Sequence, residues 1–444
     1  MRKHFGTDGV RGVANTDLTI ETALALGAAA AHVFGTHKEI VVGRDPRRSG
    51  DLLEAAFTAG VLSQGADIAS LGVIPTPGVS VLTRQRGAAA GVVISASHNP
   101  MADNGIKFFG PDGKKLSDST ELAIEAAMES WITNSRPSGA GVGRKTDVVD
   151  ALDTYSDFLE ATLGGTRLDG LTIVVDGANG AAAKLAPLFL TRLGAKVTPI
   201  ACEPDGLNIN EGVGSTHPTG MLKAVGEHGA DLGVSFDGDA DRAMLSDSQG
   251  RLFDGDRMLC AGGLWLKERG TLTNNTVVGT VMSNLGLEKA LKEAGITLER
   301  AAVGDRYVTE LLDKTSAALG GEQSGHILFP QISPAGDGLL TLLQMLRICL
   351  ESGKTLAQWY DAMATFPQKL VNVYVTDKTN WESDPEITAA ISVAQATLNG
   401  RGRLLVRPSG TEKMIRVMAE AETQPLVDET VDSVAAAVRK ARGV

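Results

Sequence analysis

The sequence predicts an α/β protein of several domains: three α/β domains with mixed or parallel sheets, followed by a C-terminal α+β domain. Three observations carry this. The chain has 444 residues, too many for one ordinary core. Short apolar β-runs alternate with helical stretches long enough to serve as crossovers between parallel strands. Beyond residue 366 the pattern changes to strands around helices, at small-domain length.

The elements follow in order. In the first domain, 1–150, an alanine-rich helix is predicted over 21–34, a strand over 39–43, a helix over 51–64, and strands over 66–71 and 91–96. The Ser/Pro/Gly-rich stretch 135–143 reads as the first linker. The pattern restarts in the second domain, 151–254, with strand 171–176, helix 181–193, strand 195–201, helix 221–228 and strand 231–236. The third domain, 255–366, contains helix 257–268, strand 276–281, helix 287–294, strand 298–303 and helices 307–312 and 338–351. The fourth, 367–444, has strands 369–376, 404–407 and 413–421 with helices 387–398 and 425–442. The similarity among these rounds is architectural; no residue-level repeat recurs at a fixed period.

Composition narrows the function. Hydrophobic residues make up 43% of the chain, which argues for packed cores. Aromatic residues are only 4%, which argues against binding single-stranded nucleic acid by base stacking. With 42 basic and 53 acidic side chains the net charge is −11, so neither nucleic acid nor an anionic membrane is an expected partner. An anionic small molecule would need local clusters of Arg, Lys and backbone N–H groups, since salt screens the global field beyond about 8 Å. Cys202, Cys260 and Cys349 are far apart and unpatterned, so no disulfide framework or zinc site is expected. The N-terminal residues lack an apolar signal core, and the apolar stretch near 24–34 is too short to span a bilayer. The expectation is a cytoplasmic protein.

Five motifs carry chemistry. The run Gly91-Val92-Val93-Ile94-Ser95-Ala96-Ser97-His98-Asn99-Pro100 is an apolar strand ending in a polar turn. That puts a hydroxyl at the mouth of a sheet, where open α/β folds bind ligands. It is also ordinary turn chemistry, and Ser95 competes with Ser97. Asp237, Asp239 and Asp241 alternate with Gly238 and Ala240, small residues that let three carboxylates converge on a hard cation such as Mg²⁺ or Ca²⁺. An EF-hand fails here: Arg242 stands where its glycine belongs and Ser248 where its glutamate belongs. Gly320 to His326 is a glycine-rich loop whose Glu322 and Ser324 suit sugar hydroxyls. Arg407-Pro408-Ser409-Gly410-Thr411-Glu412, followed by Arg416, combines an anion nest with charged forks that match phosphate, although the same residues also make a hairpin turn. Finally, Gly6 to Gly12 is a polar loop from which Arg11 can reach a phosphate.

Taken together and in this order, the motifs resemble the α-D-phosphohexomutase superfamily. The resemblance extends through Asp103-Asn104-Gly105-Ile106-Lys107-Phe108-Phe109 and Val303-Gly304-Asp305-Arg306-Tyr307-Val308, and runs from end to end. Gln323 and the 304–307 segment resemble the branch acting on glucosamine phosphates.

The likeness implies four domains around a central cleft, each contributing one motif. It implies an isomerase that interconverts glucosamine 6-phosphate and glucosamine 1-phosphate through a phosphoserine and a 1,6-bisphosphate intermediate, supplying amino-sugar nucleotide and cell-wall precursor synthesis. Ser97 would be the phosphoserine. Asp237, Asp239 and Asp241 would hold one Mg²⁺ per subunit together with the Ser97 phosphate. Arg11, Lys107 and Arg242 would steady the transferring group, and His98, Lys107 and His326 are the candidates for the general base. Glu322 and Ser324 would bind the sugar, with Arg306 beside them. Arg407, Ser409, Gly410, Thr411 and Arg416 would grip the other phosphate. The partner implied is a phosphosugar, with a hexose 1,6-bisphosphate as activator, acting on a monomer or homodimer. The alternatives are a phosphomannomutase/phosphoglucomutase of the same superfamily and a non-catalytic phosphosugar-binding protein.

Overall fold

Runs of valine and isoleucine buried on both faces build the first sheet, as expected where helices cover a sheet. Its strands are β1 (Val10–Val13), β2 (Glu39–Arg44), β3 (Asp67–Val73), β4 (Ala90–Ile94), β5 (Asp103–Phe109) and β6 (Lys145–Asp147). The computed structural model describes residues 3–6, 8–131, 135–409 and 412–444. The spatial order is β1-β5-β4-β2-β3-β6. β2, β3, β4 and β6 run parallel, whereas β5 returns antiparallel beside β4, with Val93 opposite Lys107. β5 is not predicted from the sequence. It is reached from β4 through the turn that carries Ser97, so one hairpin-like connection holds both Ser97 and Lys107.

The stretch 135–143, which reads as a linker, is instead a return to this sheet. Gly143 N–H donates to Leu62 O at 3.0 Å, and β6 then pairs with the edge of β3. Helices Ile20–Phe34, Ser49–Ser63 and Asp118–Ser130 pack a core that includes Leu26, Ile40, Phe57, Val92, Phe108 and Ile124.

The second sheet has β7 (Thr172–Asp176), β8 (Lys196–Ile200), β9 (Leu232–Phe236), β10 (Ala243–Asp247) and β11 (Leu252–Phe253) in the order β11-β10-β9-β7-β8. β7, β8 and β9 are parallel; β10 turns back antiparallel on β9. The aspartate cluster is the connection between β9 and β10. The third sheet, β13-β12-β14-β15, comprises β12 (Thr276–Thr280), β13 (Thr297–Ala301), β14 (Gly320–Gly321) and β15 (Ile327–Leu328). Its β14–β15 turn holds Glu322 to His326.

The chain forms two compact units. One runs through Val281 and resumes over Leu298–Asp361; the other comprises Met282–Thr297 and Ala362–Val444. The second unit is built on an antiparallel sheet of β16 (Gln368–Tyr374), β17 (Gly402–Pro408) and β18 (Met414–Ala421), with β18 central. Helices Pro385–Leu398 and Gln424–Arg442 cover it through Ile387, Leu398, Val427, Val431 and Val434. Helix Leu285–Glu293 also belongs to this unit. Asn284 donates to Phe366 O and accepts from Phe366 N–H, both at 3.0 Å, and Arg403 donates to Ser283 O at 2.7 Å. Among the described residues, no helix is long and apolar enough to cross a membrane.

Candidate active site

Ser97 leaves β4 with a left-handed backbone, φ 53°. That conformation costs a non-glycine residue on the order of 1–3 kcal/mol, so its surroundings must hold it. They do. Ser97 N–H donates to Ser95 Oγ at 3.0 Å, and Ser95 Oγ in turn donates to Asp45 at 2.5 Å. Ser95 is therefore a support for the turn, and its hydroxyl is committed. The fully buried Arg47 pairs with Asp45 at 2.9 Å and donates to the carbonyls of Ser97 (2.9 Å), Asn99 (2.8 Å), Asp103 (3.1 Å) and Pro100. From the second-sheet side, Asn210 Nδ2 donates to Ser97 O at 2.8 Å and Asn99 O at 3.0 Å.

The aspartate loop meets this turn directly. A Cβ on Gly238 would lie 2.5 Å from Ser97 O, so only glycine permits the approach. Ala240 takes a left-handed φ of 58°. One carboxylate oxygen from each of Asp237, Asp239 and Asp241 falls within 4.8 Å of the others. Ser97 Oγ donates to Asp237 Oδ2 at 2.5 Å. Asp239 Oδ2 accepts from Lys107 Nζ and from Thr76 Oγ1, both at 2.7 Å.

The residues fit a bound cation. Asp239 Oδ1 and Asp241 Oδ1 are buried and find no hydrogen-bond partner among the described residues, which is costly unless something else satisfies them. Burial and the neighbouring Asp241 and Asp239 push the Asp237 carboxyl well above its usual range. Burial would raise Asp239 as well, and Asp241 adds to that, but Lys107 and Thr76 outweigh both and lower it. Burial acts the same way on Asp241, where His326, Lys107 and Arg242 win and hold it well below that range. Such a crowd is a hard-oxygen site that a divalent cation would stabilise.

A cavity of about 560 Å³ opens beside the triad. Arg11, Ser97, Lys107, Asp241, Arg242, Arg306, Glu322 and His326 all line it. The structure thus brings eight of the expected residues to one wall. Arg11 Nε and Arg242 Nε are buried there with no hydrogen-bond partner among the described residues, as suits donors that await an anion. Gly304 N–H donates to Glu322 Oε1 at 3.0 Å, and Arg306 is held by Glu310 at 3.0 Å and by Asp118.

His326 Nδ1 lies 3.7 Å from Asp241 Oδ2, and a Cβ on Gly336 would sit 2.2 Å from its ring. Burial alone would lower its pKa, but Asp241, Asp305 and Glu322 raise it to about 9.

The other candidates are placed as follows. His98 Nδ1 is 3.4 Å from Ser97 Oγ, yet its ring lines a separate cavity with Pro100, Met101 and His217. Burial, then Arg242 and Arg11, lower its pKa. Ser324 is half-buried in the β14–β15 turn. In the second unit, Arg407 and Arg416 face each other across β17 and β18, and burial and Arg416 lower the Arg407 pKa. Arg416 Nε is buried with no hydrogen-bond partner among the described residues. Ser409 Oγ accepts from Glu412 N–H at 3.3 Å, while Lys378 Nζ donates to Ser409 O at 2.6 Å. Gly410 and Thr411 lie outside the described residues.

Arg47, Thr76, Asn210 and Lys378 escape a reading of the sequence. Arg47 carried one faint signal, an Asp-Pro-Arg run closing a buried strand.

Comparison with known proteins adds an independent result. Models of the phosphoglucomutase/phosphomannomutase family match in four pieces: alpha/beta/alpha domain I over residues 2–135, domain II over 153–250, domain III over 254–366 and the C-terminal domain over 370–437. A phosphoglucosamine mutase from Desulforamulus reducens is 53% identical over 442 residues, covering 98% of this chain and 99% of that protein. In structure, a phosphoglucomutase/phosphomannomutase family protein from Burkholderia thailandensis superposes with a TM-score of 0.80 at 22% identity, covering 98% of this chain and 97% of that one. The Aspergillus fumigatus N-acetylphosphoglucosamine mutase, solved with GlcNAc-6P and magnesium, gives a TM-score of 0.69 at 20% identity, covering 100% of this chain and 96% of that one.

Proposed function

Because the chain belongs to the phosphoglucosamine mutase family of the phosphoglucomutase/phosphomannomutase proteins, we propose that this isomerase interconverts glucosamine 6-phosphate and glucosamine 1-phosphate through a phosphorylated Ser97. The observation that carries the proposal is the contact of Ser97 Oγ with Asp237, inside a carboxylate triad in which Asp239 Oδ1 and Asp241 Oδ1 find no hydrogen-bond partner among the described residues.

In the proposed first half-reaction the bond from phosphorus to Ser97 Oγ breaks and a bond to the sugar oxygen forms. The sugar hydroxyl loses a proton and Oγ regains one, so no proton is gained or lost overall. The glucosamine 1,6-bisphosphate then turns over, and its other phosphoryl group returns to Ser97. Such transfer asks the protein for in-line positioning and charge stabilisation. Mg²⁺ held by Asp237, Asp239 and Asp241 would supply Lewis-acid stabilisation of the transferring charge. Arg11 and Arg242 would bind the phosphoryl oxygens. His98, Lys107 and His326 are the candidates to take the proton of the attacking sugar hydroxyl, and Lys107 and His326 line the cavity with Ser97, from which a proton would return to Oγ. Glu322 and Ser324 would take the sugar hydroxyls, with Arg306 beside them. Arg407, Ser409, Gly410, Thr411 and Arg416 would hold the non-reacting phosphate, with Lys378 bracing the loop. The proposal includes domain borders near 150, 254 and 366, a hexose 1,6-bisphosphate as activator and a cytoplasmic setting.

The test is turnover of glucosamine 6-phosphate by the wild type and by Ser97→Ala, with circular dichroism as the control for folding. The expected result is a folded variant that has lost mutase activity. A Ser97→Ala protein of normal activity would sink the proposal. Higher kcat/KM for glucose 1-phosphate or mannose 1-phosphate would move the substrate to the sister enzymes.

A further inference from the structure

The cavity beside Ser97 is lined by carboxylates as well as cations. Asp8, Asp118, Asp305 and Glu310 share the wall with Arg11 and His326. A site for phosphate would be poisoned if these carboxylates neutralised its own donors. Lys115 stands between them. Its Nζ is 2.9 Å from Asp8 Oδ1 and 2.6 Å from Asp305 Oδ2. The second oxygen of Asp8 is 3.8 Å from Arg11, and Asp305 Oδ2 is 3.9 Å from His326 Nε2, both beyond hydrogen-bond reach.

We propose that Lys115 is a positioning residue for phosphoryl transfer: anchored on Asp305, it holds Asp8 and so keeps Arg11 available to phosphate. The inference rests on the functional reading given above.

The backbone supports this role. Lys115 bridges back to Phe109 at the end of β5, the strand that carries Lys107, so its origin is fixed relative to the site. Asp305 opens helix Asp305–Thr315 and its carboxylate also accepts from Arg306 N–H at 2.7 Å, which makes it a fixed anchor for the Lys115 ammonium. Asp8 lies just before β1, the strand that carries Arg11. Without the ammonium, the Arg11 guanidinium is within a small side-chain movement of Asp8. Burial would raise the Asp8 pKa, but Lys115, Lys107 and Arg11 hold it below the usual carboxylate range, so the group stays charged. Lys114, next in sequence, pairs instead with Asp313 at 3.0 Å, with both side chains largely exposed.

The experiment is steady-state kinetics on glucosamine 6-phosphate for the wild type, Lys115→Met, Lys115→Arg, Asp8→Asn and the Lys115→Met/Asp8→Asn double variant, with thermal melting of each. Lys115→Met is expected to lower kcat roughly ten- to hundredfold, the worth of one charged hydrogen bond. KM is expected to move little, since the non-reacting phosphate is held elsewhere. Lys115→Arg is expected to restore most of kcat. The double variant should return to within about threefold of Asp8→Asn alone, because the competing carboxylate is gone. Lys114→Met should match the wild type.

A merely structural lysine would give parallel losses in melting temperature, kcat and KM that Asp8→Asn could not relieve, and that result would overturn the inference. So would an unchanged kcat in Lys115→Met. If Lys115→Met melts early, the comparison of Lys115→Arg with the double variant decides. A wild type without turnover overturns the functional reading and this inference together; an active wild type with an indifferent Lys115 overturns the inference alone.

Discussion

Arg47 illustrates how much a single side chain can fix. It is fully buried, pairs with Asp45 and spans the carbonyls of four residues in the turn after β4. Removing it would strip the buried Asp45 of its counter-charge, leaving only Ser95 Oγ and the backbone N–H of residue 47 to donate to it. Arg47→Met is expected to cost about 3–5 kcal/mol in urea unfolding, and to reduce turnover because the left-handed Ser97 loses its restraint. Spacing alone left Ser95 open beside Ser97, since both lie on one turn, and the family resemblance favoured Ser97. The bond that commits the Ser95 hydroxyl comes from Asp45, some fifty residues earlier in the chain. Asp237, Asp239 and Asp241 were legible because their ligand atoms are neighbours in sequence. Asn210, Thr76 and Lys115 were not, because what distinguishes them is a partner brought close only by folding.

At the scale of elements, the helix Gly338–Ser352 carries a pH dependence at its cap. Asp337 accepts from Leu340 N–H at 2.9 Å and from Tyr155 Oη at 2.9 Å, and is buried. Burial raises its pKa to about 7, against hydrogen bonds that lower it. The folded state thus keeps a proton that the unfolded chain releases near its ordinary value of about 4. The favourable contribution is complete below that ordinary value and is lost as pH rises towards 7, on the order of 4 kcal/mol in all. Asp337→Asn, which still caps a helix, is expected to flatten this slope; melting temperatures from pH 5 to pH 8 check it.

Elements with plain periodicity were legible, the helix Ile20–Phe34 and strand β2 among them. β5 and β10 were hidden for one reason: each follows a polar loop and has its apolar run interrupted, β5 by Lys107 of the site and β10 by Ser246 and Asp247, whose carboxylate pairs with Arg251.

The whole molecule divides where the sequence gave no sign. Residues 282–297 read as part of the third α/β round, yet they cluster with the C-terminal sheet. A Cβ on Gly286 would lie 1.7 Å from Ala364 O, and Lys289 sits 4.4 Å above the Phe366 ring, so the packing is close. Native-state hydrogen exchange is expected to group the amides of Leu285–Glu293 with those of β16 and β18, apart from those of β12. Exchange of that helix together with β12 would contradict the grouping.

That grouping matters for anyone recombining members of this family. A chimera joined at a single point near residue 366 would take its C-terminal sheet from one parent and the helix packed on it from another. A seamless graft needs three junctions, near 281, 297 and 361, and should transplant Leu285–Glu293 with the sheet it covers.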